Sequence, residues 1–232
     1  MAVDLRGVRV VVLPGTGSDE DYVDRVFSRP LEAVGASLVA PAPRPSALVN
    51  GYLDALDTAA AQDPVAVGGV SIGAAVAVAW ALAHPDRTVA VLAALPPWTG
   101  PPDGAPAALA ARHSAAMLRR DGLAAATAQI RASSPRWLAD ELARSWASQW
   151  PGLPDAMEEA AGFTAVTRVQ LQRLVAPMGV AAAVDDPVHP AHVAAEWVSA
   201  AARAALRTVT LEEMGADPSA LGAACVAALK ET

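Results

Sequence analysis

The sequence predicts an α/β fold: a mostly parallel sheet of about six strands, helices on both faces, and a helical block inserted into the frame. Three observations carry this expectation. Short, continuously apolar runs alternate with helix-length segments at both ends of the chain, the pattern of strands buried on both faces. Between residues 97 and 176 the alternation stops and only helical periodicity remains, over a length no ordinary connection has. The 232 residues are 53% hydrophobic and 18% charged, enough for one large core and too apolar for disorder.

The elements follow in order. Val8 to Leu13 is a β-branched run ended by Pro14-Gly15, a buried strand and turn. Ser18 is placed to cap the next helix, with Asp19, Glu20 and Asp21 in its first turn. Dipole capping explains these acids better than a metal site does. Tyr22, Val23, Val26 and Phe27 form that helix's inner face, and Pro30 is expected to kink or end it. Ser37 to Ala40 reads as a short strand, Ala47 to Ala61 as a helix and Pro64 to Val70 as a buried strand. Ile72 to His84 is apolar on nearly every face, as a central helix packed on a sheet must be. Thr88 to Leu95 is the next strand. After the Pro/Gly-rich stretch 96–106 come helices broken at Gly122, Pro135 and Pro151-Gly152-Leu153-Pro154. Met178 to Val184, Ala191 to Ala204, Leu206 to Leu211 and Pro218 to Leu229 resume the strand–helix alternation. Residues 1–96 and 177–232 thus form a core, and 97–176 form the insertion.

Composition removes several functions. A net charge of −7 without a basic patch excludes a nucleic-acid surface. The single cysteine, Cys225, excludes a disulfide framework and a zinc cage, and reads as a buried small apolar residue. The longest apolar run, Ile72 to Ala83, is too short to cross a membrane. Met1 to Arg6 is too short and too charged for a leader, so a cytoplasmic protein is expected. No metal and no cofactor are expected, and the partner is a small-molecule substrate or ligand.

The sharpest chemical signal is Gly69-Val70-Ser71-Ile72-Gly73, a G-x-S-x-G between a buried strand and an apolar helix. A strand turning sharply into a helix exposes the central serine at the sheet's carboxyl edge, above a helix N-terminus. With these residues the chain resembles the α/β-hydrolase superfamily over Val8 to Leu229. The resemblance implies that Ser71 is the nucleophile. It implies that Leu13-Pro14-Gly15-Thr16-Gly17 is the oxyanion loop, with donors from the Thr16 and Ile72 amides. Asp185-Asp186-Pro187-Val188-His189-Pro190 resembles the acid loop, where the spacing to proline selects Asp186 and leaves Asp185 second. The insertion falls where the superfamily carries its cap. Trp98, directly after a strand's carboxyl end, is the tryptophan placed to touch substrate.

Two departures stand out. The superfamily's first two strands are missing, which leaves a minimal six-strand sheet. Its histidine, carried after the last strand, is replaced by Ala216, and no histidine follows. Of the four histidines, His84 reads as a helix stop, His192 opens a helix and His113 lies on the cap. His189, three residues beyond Asp186, is the best substitute base. Two readings follow. One is a serine hydrolase acting on an ester or thioester of a small apolar acyl or cyclic group. The other is a non-catalytic protein of the same fold that binds a small apolar ligand or a partner.

Overall fold

The computed structural model describes residues 3–232; Met1 and Ala2, the start of the segment read as too short for a leader, lie outside the described residues. Strands β1 (Arg9–Leu13), β2 (Ser37–Val39), β3 (Val65–Val70), β4 (Thr88–Ala94), β5 (Met178–Ala183) and β6 (Ala204–Val209) make one sheet. Its order is β2-β1-β3-β4-β5-β6, and every pairing is parallel. The helices are α1 (Glu20–Glu32), α2 (Leu48–Ala59), α3 (Ile72–Ala83), α4 (Pro106–Ser133), α5 (Arg136–Gln149), α6 (Leu153–Gly162), α7 (Arg168–Leu171), α8 (Ala191–Ala200), α9 (Leu211–Ala216) and α10 (Ser219–Leu229).

The twofold alternation of side chains along each strand sorts the core into two layers. Val10 and Val12 of β1 pack with Val23, Val26 and Phe27 of α1 and with Leu221 and Cys225 of α10. Val11 and Leu13 point the other way, toward Tyr52 and Leu56 of α2 and Val76 and Trp80 of α3. Both faces of the sheet are therefore covered at its inner strands, which is why β1, β3, β4 and β5 read as apolar runs, while the edge strand β6 exposes Arg207 and Thr208. The chain leaves β1 for β2 on one side and returns through α2 to β3 on the other. That reversal opens a crevice at the carboxyl ends of β1 and β3, where open α/β sheets bind ligands.

Helices α4 to α7 fill the long connection between β4 and β5, and Gly122 (φ 78°) breaks α4. Met117, Trp146 and Met157 of this block are continuous with the core layer that contains α3. Among the described residues no helix is long and apolar enough to cross a membrane.

Three local expectations change. Asp19, rather than Ser18, caps α1: its carboxylate accepts the Tyr22 N–H at 3.1 Å, while Ser18 N–H closes a turn onto Gly15 O at 3.0 Å. Pro30 does not end α1, which continues to Glu32. The missing Pro30 N–H would have met the Val26 carbonyl. Gly222 of α10 packs so closely on that freed oxygen that a side chain at 222 would lie 2.1 Å from it. Finally, Leu211, expected to end the last strand, and residues 212–216, expected in the loop after it, form α9, started by a capping box between Thr210 and Glu213.

Candidate active site

The elbow after β3 is built by steric necessity. A Cβ at Gly69 would lie 2.3 Å from the Gly73 carbonyl carbon, and one at Gly73 would lie 2.3 Å from Leu13 O. Only glycines let the strand, the turn and β1 approach this closely. The strain falls on Ser71, at φ 54° and ψ −118°, a conformation L-residues rarely adopt. Its N–H bonds Ala94 O at 2.9 Å and its carbonyl accepts from Ala75 N–H, so the turn is pinned on both sides. Ser71 occupies the N-cap position of α3, yet its hydroxyl makes no capping bond. It points instead to the loop after β5.

There the Ser71 hydroxyl donates to His189 Nε2 at 2.9 Å, and His189 Nδ1 donates to Asp186 Oδ2 at 2.8 Å. A carboxylate only accepts, so the proton of the neutral ring sits on Nδ1 and Nε2 offers its lone pair to the serine. The loop is short and stiff. Asp186 Oδ1 accepts the Val188 N–H at 2.7 Å, and Pro187 and Pro190 flank the turn. Burial acts to raise the Asp186 pKa, but the His189 hydrogen bond, its charge and the Val188 and His189 amides outweigh it, so the carboxyl lies below its ordinary value.

The other expected residues divide. Gly15 sits against the elbow: a Cβ there would be 3.6 Å from Ser71 Cβ. This brings Thr16 beside Ser71, and both line one cavity. Ile72 opens α3, where the first N–H groups have no intrahelical acceptor. Trp98 is buried on the cavity wall, with its indole N–H donated to Phe163 O at 3.2 Å. His113 also reaches the cavity, from α4, but makes no hydrogen bond to the Ser71–His189–Asp186 chain among the described residues.

Asp185 is a correction. It is exposed, and its Oδ1 accepts the Leu211 N–H at 2.8 Å, anchoring α9 instead of reaching His189. Ala216 is exposed at the end of α9 and does not line the cavity; the place beside Ser71 is held by His189. His84 terminates α3 and stacks on Trp80, and His192 is exposed on α8.

The cavity over Ser71 has a volume of about 360 Å³, within the range of small-molecule sites. Its walls are mainly apolar: Trp98 from the connection after β4, Trp137 and Trp146 from α5, Met157 from α6, Met214 from α9. No local pattern marks Met157 or Met214 as wall residues, because their positions depend on contacts remote in the chain.

No family model and no curated protein matches this sequence. Solved structures do resemble it. MenH from S. aureus superposes with a TM-score of 0.71 at 14% identity, over 97% of this chain and 94% of that one. A putative non-heme bromoperoxidase, BpoC from Mycobacterium tuberculosis H37Rv, gives 0.69 at 18% identity, over 97% and 92%. A thermophilic esterase from Thermogutta terrifontis gives 0.65 at 16% identity, over 89% and 81%. Identities this low establish architecture and leave the reaction open, because one fold hosts many activities. With its six-stranded parallel sheet covered on both faces, the chain has the α/β-hydrolase fold.

Proposed function

We propose that the protein is a serine hydrolase for esters or thioesters of small apolar acyl or cyclic acids. The observation that carries this reading is the continuous hydrogen-bond chain Ser71–His189–Asp186 at the floor of an apolar cavity. Ser71 Oγ attacks the substrate carbonyl while His189 Nε2 takes its proton. Asp186 holds the ring in the tautomer that leaves Nε2 free and stabilises the imidazolium that forms. The Thr16 and Ile72 N–H groups, beside and beneath the serine, bind the oxyanion of the tetrahedral intermediate. As the intermediate collapses, the C–O or C–S bond to the leaving group breaks and His189 returns the proton to that group. Water then attacks the acyl-enzyme with His189 as base again, releasing the acid and restoring Ser71. No step calls for a metal or cofactor. The alternative of a ligand-binding protein rests on Ala216, and the hydrogen bond of His189 to Ser71 favours the hydrolase reading over it.

The test is covalent labelling and turnover together. A fluorophosphonate should modify Ser71, and Ser71→Ala should lose both the label and p-nitrophenyl ester hydrolysis. A Ser71→Ala protein that hydrolyses the ester at the parent rate overturns the proposal.

A further inference from the structure

Burial singles out one polar cluster that the proposed chemistry does not use. Apart from Ser71 and Thr88, the buried polar residues among the described residues are Asp19, Ser145 and Gln149. All three meet at one junction, between cap helix α5 and the loop that carries Thr16. Ser145 Oγ donates to Gly17 O at 2.5 Å, across 128 residues of sequence. Gln149 Nε2, one turn further along the same helix face, donates to Ser18 O at 3.0 Å. Arg144 forks onto Asp19, with Nη1 at 2.7 Å from Oδ2 and Nη2 at 2.8 Å from Oδ1. Three consecutive residues, Gly17, Ser18 and Asp19, are each held by one side chain of α5.

We propose that Arg144, Ser145 and Gln149 are positioning residues that set the Thr16 N–H for the oxyanion, so that the cap helix forms part of the catalytic geometry. The inference rests on the hydrolase reading of Ser71. The orientation of the Thr16 N–H depends on the peptide planes around it. Gly15 O is held by Ser18 N–H at 3.0 Å on the near side. Beyond Thr16, the hydrogen bonds that the Gly17 and Ser18 carbonyls accept among the described residues come from α5. Gly17 sits at φ 71°, and a side chain there would come within 2.7 Å of Trp146 Nε1, so α5 touches the loop at backbone distance. A loop of glycines has little stiffness of its own. Removing a clamp lets the donor drift, and errors near 1 Å cost on the order of 10²-fold in rate. If α5 moves, the oxyanion site loosens with it, and the cap couples substrate enclosure to reactivity.

The test compares the full-length parent with Ser145→Ala, Gln149→Met and their double variant, in hydrolysis of a short-chain p-nitrophenyl ester. Each single variant should lower kcat roughly tenfold and the double roughly 10²-fold, with KM within about twofold. Affinity for a trifluoromethyl ketone, whose adduct with Ser71 carries the oxyanion, should fall in proportion to kcat/KM. Arg119→Ala, which removes ion pairs to Asp155 and Glu158 away from the loop, should leave both unchanged. Should Ser145→Ala fail to fold, Gln149→Met and Arg144→Met decide the matter by the same readouts. Folded variants with parental kcat, or with a raised KM at parental kcat, overturn the clamp while leaving the hydrolase reading intact. A parent with no Ser71-dependent turnover and no ketone binding overturns both.

Discussion

Replacing His189 by alanine isolates the step on which the chemistry depends. In the parent, Nε2 lies 2.9 Å from Ser71 Oγ and Nδ1 lies 2.8 Å from Asp186 Oδ2, already within proton-transfer distance. General-base assistance contributes typically 10²- to 10⁴-fold, or about 3–5 kcal/mol of barrier. The geometry here needs no rearrangement, so the loss in kcat/KM for a short-chain p-nitrophenyl ester should fall near the middle of that range, roughly 10³-fold. The ring is partly exposed, and Pro187, Pro190 and the Val188–Asp186 bond hold the loop without it, so the variant should fold. Groups that act as a unit are non-additive. Ser71→Ala with His189→Ala should therefore be no slower than Ser71→Ala alone. Near-UV circular dichroism establishes folding, and initial rates across substrate concentration give kcat/KM. A folded His189→Ala protein within threefold of the parent would refute the assignment. So would a double variant whose loss is the product of the two single losses.

Other outcomes follow from the same geometry. Ala216→His should leave ester turnover within about twofold of the parent and should not rescue His189→Ala, because residue 216 faces solvent and a hydroxyl already bonded to His189 lies elsewhere; steady-state rates of both variants check it. Asp19→Asn should lower the urea midpoint at neutral pH, by an amount equivalent to about 1–2 kcal/mol since Arg144 is partly solvated. Burial raises the Asp19 pKa, but the Arg144 fork, the Tyr22 N–H and the neighbouring arginines lower it further, to a net value below the ordinary 3.8. Because the folded value is the depressed one, this stabilisation is complete above pH 3.8 and is lost as pH falls through the folded pKa, so the gap between parent and variant should close in acid. Met214→Ala should widen the cavity and raise the ratio of kcat/KM for longer over shorter acyl esters, each added methylene being worth roughly 1 kcal/mol or more. Rates over an acetate-to-octanoate series measure the ratio, and an unchanged chain-length profile would place Met214 off the substrate path.

What the sequence made legible was local. The four inner strands announce themselves because both of their faces are covered and no polar residue interrupts Val10–Leu13, Val65–Val70, Val89–Ala94 or Met178–Ala183. The elbow is legible because Gly69 and Gly73 are forced by contacts within a few residues of the serine and with the adjacent strand. Asp186 and His189 are legible for the same reason, being three residues apart in one turn. Reading stops where partners are distant. Nothing near Ser145 or Gln149 indicates that they hold carbonyls 128 and 131 residues away. Ser18 looked the better cap because only the fold brings Arg144 to the Asp19 carboxylate. Helix α9 is a different case. Its Thr210–Glu213 capping box stands in the sequence, but the resemblance led the segment to be read as a histidine loop.

On the proposed hydrolase reading, the position of the base also explains that segment: with Asp186 and His189 on one turn after β5, the chain after β6 has no reacting group to deliver. It can coil into α9, which Asp185 pins by accepting the Leu211 N–H. Leu211 and Met214 then close the cavity from the side where a histidine loop would otherwise stand. The adjacent aspartates thus differ in partner: Asp186 accepts from the His189 imidazole, and Asp185 accepts from Leu211 N–H at the start of the cavity wall. A substitution at Asp185 would be felt first in the shape of the cavity, and one at Asp186 first in the tautomer of His189. The two neighbours should therefore separate in kinetics, Asp185 acting mainly through substrate selectivity and Asp186 through kcat.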